Sequence, residues 1–253
     1  MLFFKFVENI GDKVIGYSLA SYDFFIFLFQ CIGNMFIPSN YSKSSRVFFV
    51  RQIYLSSIEN LFSFVFLALF LGPILIVIAI SFAINFNLLE QIGDLLVLLV
   101  INEFSPFFTT IFFMLMYTLS LQENIQDLKR NKTELNSKLY IPKLINGLFI
   151  VPLMALFFAS IMILSGYFVS SLYLNLDFFT YKNLIISSIS FENILILFVK
   201  GSIFGFIAVI IPVYSGHIKK NNNYDVTKSV IKNLIIILSM LILIELLFIM
   251  ILY

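Results

Sequence analysis

Leu95–Gln122 reads LLVLLVINEFSPFFTTIFFMLMYTLSLQ, 28 residues carrying one charge, Glu103. A helix needs only ~20 apolar residues to cross a bilayer, so this segment spans and Glu103 lies within the hydrocarbon. A carboxylate there is expensive on an isolated helix, so such a group faces protein or a wet interior and marks a polar path. Working outward, four more runs have the same character. Leu61–Leu89 and Leu144–Leu176 carry no charge, Asn193–Gly216 carries only Lys200, and Asn233–Tyr253 only Glu245. The predicted fold class is therefore an all-α membrane protein with five transmembrane helices.

Composition agrees. Apolar residues make up 60% of the chain and charged ones 12%, with a mean hydropathy of +1.02. A water-soluble domain could not cover so much apolar side chain with so few polar groups. The reading expects one membrane domain with no soluble appendage and, from Met1 to Ile10, no cleaved signal peptide. One cysteine, Cys31, excludes a disulfide within the chain.

The connections sort by charge. Lys43, Arg46 and Arg51 precede the first span, and Lys129, Arg130, Lys132, Lys138 and Lys143 separate the second from the third. Lys219, Lys220, Lys228 and Lys232 separate the fourth from the fifth. The other two connections hold Glu90 and Asp94, then Asp177, Lys182 and Glu192. Positive residues accumulate on the cytoplasmic side, which predicts a cytoplasmic amino terminus and a periplasmic carboxyl terminus.

Orientation sets depth. Glu103, Lys200 and Glu245 each lie seven or eight residues from the outer end of their span, or ~10–12 Å at ~1.5 Å per residue. Two acids and one base at one height can neutralise each other across helices, most simply with Lys200 between the carboxylates. A helix-packing ion cluster without a ligand role is the alternative.

Before the first span, residues 1–49 form a separate amino-terminal region. Phe24–Ile37 is apolar but too short to cross, while Phe3, Val7, Ile10 and Val14 recur at helical spacing. That pattern predicts one or two amphipathic helices in the cytoplasmic interface, with a re-entrant or protein-packed segment as the alternative. In the second cytoplasmic connection, Leu121, Ile125, Leu128, Leu135 and Leu139 fall on one side of a helix. A short amphipathic helix below the membrane suits docking into a groove of a soluble partner; an ordinary solvated connection is the alternative.

Several stretches resemble a known family. Val50-Arg51-Gln52-Ile53-Tyr54, Phe70-Leu71-Gly72, Asn102-Glu103-Phe104-Ser105-Pro106, and Pro142-Lys143 with Gly147 and Pro152-Leu153 occur in the order and spacing found in MlaE permeases. These are subunits of ABC systems that move phospholipids between bacterial membranes. Lys200 stands where relatives carry a lysine, and Glu245 within about a turn of a frequent aspartate. The resemblance covers about residue 44 to the end and makes residues 50–253 the permease domain, with a coupling segment at about 120–143. It implies a homodimer in the bacterial inner membrane, cytoplasmic ABC ATPase subunits that hydrolyse ATP on a separate chain, and a periplasmic ring of MCE-domain subunits. It also implies a phospholipid cavity between the two copies, lined by the first, second and fifth spans, with Glu103, Lys200, Glu245 and Asn102 as its polar cluster. Gly72, Pro73, Pro106 and Pro212 become candidate flexing points, static kinks being the alternative.

The chain departs from the family pattern in places. Asn102 replaces an arginine and Ser105 a glycine, Leu115-Met116-Tyr117-Thr118 replaces a Gly-Arg-x-Gly stretch, and the coupling loop is about nine residues short. There is no G-x-x-x-x-G-K-[ST] loop, and the only histidine, His217, has no nucleophile paired with it. No enzyme activity, cofactor, metal or nucleic-acid partner is expected. Two rival readings are an ion-coupled secondary carrier using Glu103, Lys200 and Glu245, and a non-transporting scaffold; no internal repeat of the carrier kind is found.

Overall fold

The computed structural model describes residues 2–38, 50, 54, 61–88, 91–130, 137–173, 175, 177–218 and 226–252. All regular structure among these is helical: α1 (Leu2–Met35), α2 (Leu61–Asn85), α3 (Ile92–Val97), a π-helical segment (Leu98–Phe104), α4 (Ser105–Arg130), α5 (Ser137–Tyr173), α6 (Phe178–Ser188), α7 (Phe191–Ile218) and α8 (Val226–Leu252). The segments α3, π and α4 run on without a break in right-handed winding, as the αR dihedrals at Leu98 and Ser105 show.

Five helices are long and apolar enough to cross a membrane: Leu61–Asn85, Ile92–Thr118, Tyr140–Leu172, Phe191–Gly216 and Thr227–Leu252. These match the five runs read from the sequence, with shifted ends. The first stops at Asn85, because Asn87 adopts φ 56° in the left-handed region that asparagine tolerates. The second starts three residues before Leu95, since Gly93 lets α3 approach α6 closely. A Cβ there would sit 2.5 Å from Ser188 Oγ and 2.9 Å from Leu184 O.

Two spans form the centre of the bundle. On α7, Gly201 and Gly205 make a G-x-x-x-G spacing, and they cross α5 at Gly147, Val151 and Pro152. A Cβ on Gly205 would lie 2.0 Å from Gly147 O, and one on Gly201 2.8 Å from Pro152 Cα. Small residues at such a crossing let backbones approach, which is how helices gain packing in lipid, where no hydrophobic drive separates them from the acyl chains. Around this pair, Phe64, Ala68, Phe158 and Met162 join α2 to α5, while Phe113, Val209 and Ile237 join α4, α7 and α8. The outermost member is α8, with only 11% of its spanning window buried.

The amino-terminal region contains one continuous 34-residue helix, α1. Its carboxyl-terminal half packs on protein. The Phe24 and Phe27 rings meet Tyr214 at 5.0 and 5.4 Å, and Asn34 Nδ2 donates to Tyr140 OH at 3.3 Å. Cys31 is fully buried in this contact, and burial pushes its thiol up to about 12. Its thiolate fraction at pH 8 is then far below that of a free cysteine. Maleimide labelling of native protein is expected to run more than about a hundredfold slower than labelling of unfolded chain. Rapid native labelling would mean that α1 is undocked.

Between Asp177 and Glu192, where charge alone indicates a connection, the chain forms the helix α6. Only its first turn is marked locally, and the rest is set by packing. The Thr180 hydroxyl donates to the Asp177 carboxylate at the first turn, which holds that carboxyl below its ordinary value. Tyr181 and Ile185, one turn apart, are buried against α2 and α3, and Tyr181 OH donates to Ile163 O at 2.8 Å.

Candidate functional site

The site starts with Pro106. Proline has no N–H for the carbonyl four residues back, and its ring crowds that carbonyl. Four residues back is Asn102. Over Leu98–Phe104 the helix widens to π winding, and the Ser105 N–H reaches five residues back to Val100 O. Such π segments are rare and recur at functional sites. Here the Asn102 carbonyl accepts instead from Lys200 Nζ of α7, at 3.0 Å. Pro106→Ala restores a competing N–H. The expected result is a weakened Lys200 contact, with thermal stability changed by less than about 1 kcal/mol. An unchanged Lys200 contact in a structure of the variant would show that the widened turn is incidental.

Lys200 is the centre of the cluster. Its Nζ lies 2.7 Å from Glu103 Oε2 and 3.1 Å from Glu245 Oε1, so three spans contribute to one ionic contact. The lysine side chain is 0% exposed, the two glutamates 13% and 15%. Phe248, one turn beyond Glu245 on α8, places its ring centroid 5.5 Å from Nζ, within cation–π range. An ion cluster so placed is costly unless its members satisfy each other, and all three Lys200 donors find acceptors here.

The carboxylates open onto a groove of about 350 Å³ between the second and fifth spans. Phe104 and Phe107 form one wall, Ile242, Leu246 and Ile249 the other, with Glu103 and Glu245 on the lining. Asn102 faces a different way. Its Nδ2 donates to Asn193 Oδ1 at 3.1 Å, beside a pocket of about 300 Å³ that Asp94, Ser188, Glu192 and Asn193 also line. Asn102 therefore joins the cluster through its main chain and closes a neighbouring pocket with its side chain. Ser105, where the family pattern has glycine, is fully buried and donates its hydroxyl to Ala155 O of α5.

The other predicted site residues fall elsewhere. Gly72 is a close-packing position, where a Cβ would stand 2.3 Å from Ser165 Oγ and 2.6 Å from Met162 O of α5. Pro73 and Pro212 lie inside the continuous helices α2 and α7. Leu121, Ile125 and Leu128 lie on α4, which runs on to Arg130. Leu135, along with Arg51, Gln52 and Ile53, lies outside the described residues. Phe248 and Asn193 were not singled out in the sequence. Phe248 was legible as the residue three positions past Glu245, while nothing local marked Asn193.

Five apolar helices holding an acid–base–acid cluster among three of them define a multi-pass membrane protein with a polar site inside its bundle. The chain belongs to the MlaE permease family: the family model described as Permease MlaE matches residues 49–251. A search of curated proteins found no match. Family membership makes the chain a transport subunit rather than an enzyme, and a component of an ABC transport system.

Proposed function

We propose that the chain is the membrane subunit of a phospholipid-moving ABC system, working as a homodimer in the bacterial inner membrane. Its amino terminus is cytoplasmic and its carboxyl terminus periplasmic, as the lysines and arginines between spans indicate. Residues 1–49 supply the interfacial elbow and 50–253 the permease domain. Cytoplasmic ATPases dock on the 120–143 segment, a periplasmic MCE-domain ring receives or delivers lipid, and Gly72, Pro73, Pro106 and Pro212 are where helices flex.

The observation that carries this reading is the groove between the second and fifth spans. Its walls are apolar enough for acyl chains, and its ionic floor is built by three helices. Movement of any one of the three changes the ion contacts, and movement of the second or fifth span also changes the groove's width. The mechanism follows: ATP turnover on the partner tilts the spans, the cluster loosens, and the groove opens or closes around a lipid.

Purification from its native membrane tests it. An ATPase should accompany the chain, and lipid-stimulated ATP turnover should fall at least about tenfold in Lys200→Ala. Proton-driven transport by the isolated chain would replace this reading with the carrier. Neither partner nor transport would favour the scaffold.

A further inference from the structure

Resting on the lipid-groove reading, we infer a headgroup class: the groove takes a lipid bearing a primary ammonium in preference to an anionic one. A lysine ammonium has three N–H donors. In this cluster they have three acceptors, Glu103 Oε2, Glu245 Oε1 and Asn102 O. Lys200 is completely covered, so it presents no donor to a phosphate in the groove. It positions the carboxylates from behind.

What a ligand meets is the opposite charge. Glu103 and Glu245 are the polar residues of the groove lining, and both remain partly exposed there. Two carboxyl groups face one ammonium, so the cluster holds one acid more than base, and an incoming ammonium would pair with the second carboxyl as its carboxylate. Phe104, Phe107, Ile242, Leu246 and Ile249 have no side-chain donor for an anion. A primary ammonium brings both charge and N–H groups, and charge-assisted hydrogen bonds are the stronger kind. A trimethylammonium brings charge alone, and a glycerol headgroup leaves the phosphate's negative charge uncompensated. The expected order is aminoethyl, then choline, then glycerol.

The test uses the full purified chain in detergent with three phospholipids of identical acyl chains and these three headgroups. Retained lipid is read by native mass spectrometry. Aminoethyl lipid should be retained over glycerol lipid by about tenfold. In Glu103→Gln/Glu245→Gln the ratio should fall to about twofold or less, with Cys31 protection confirming that the variant is folded. If the variant does not fold, the wild-type order decides. Equal retention of all three lipids, or tighter retention of the glycerol lipid, overturns the headgroup assignment and leaves the lipid groove standing. An unchanged order in the folded variant overturns it as well. Retention of none overturns the groove reading and this inference together.

Discussion

Lys200→Met should destabilise the folded protein by about 3–5 kcal/mol, the cost of removing one member of a buried ion cluster and leaving its partners uncompensated. Methionine keeps much of the side-chain length and packs adaptably, so the loss isolates the charge. Glu103 and Glu245, each held about 3 Å from Nζ, would then repel each other in a medium that solvates neither. The Asn102 carbonyl would also lose its donor, since Pro106 cannot replace it. Neutralising the acids in the same molecule should undo most of this. The triple variant Lys200→Met/Glu103→Gln/Glu245→Gln is expected to recover more than half of the lost stability, because contacting groups are strongly non-additive. Denaturant or thermal unfolding in detergent, followed by size-exclusion monodispersity, measures both. A single variant costing under about 1 kcal/mol would mean that water reaches the carboxylates and that the enclosure does not exist.

Gly205→Ala should have the next largest effect. The added methyl would stand 2.0 Å from Gly147 O and 2.8 Å from Val151 Cβ. Backbone oxygen cannot step aside as a side chain can, so α5 and α7 must separate. Overpacking of this kind costs about 1–3 kcal/mol, and Gly205→Leu should prevent folded protein from accumulating. The consequence reaches the site, because Lys200 lies five residues from Gly205 on the same helix. Gly33→Ala is the matched control. No atom lies within 4 Å of a Cβ there, and replacing this glycine in the last turn of α1 should leave stability unchanged or raise it by up to about 1 kcal/mol. Equal unfolding temperatures for Gly205→Ala and the parent would show that the crossing is looser than described.

Much of the fold was legible along the chain. The five spans were readable because length and hydrophobicity are local quantities and the bilayer imposes one thickness on every span. The Glu103, Lys200 and Glu245 association was readable for a related reason: charge in hydrocarbon must find charge, and the three share one depth. Span ends and α6 were not readable from hydropathy. Asn87's left-handed turn, the Gly93 approach and the Tyr181 and Ile185 contacts are set by neighbouring helices. Gly72 illustrates the limit at one residue. Its place beside Pro73 suggests a flexing point, and the chain alone does not reveal that it also fills a spot against Met162 and Ser165 where no Cβ fits.

By itself, the order of residues determined that this protein crosses a membrane five times and carries two acids and a base at matching height. Solvent imposed both conclusions, because lipid tolerates neither short spans nor lone charges. Tertiary packing alone decided which group lies innermost. Lys200 is sealed behind Glu103, Glu245 and the Asn102 carbonyl, so the groove presents acid where an inventory of charges would have offered both signs. The reason is geometric: a proline-widened turn aims one carbonyl across a helix interface, and no periodicity in one segment encodes what stands opposite it.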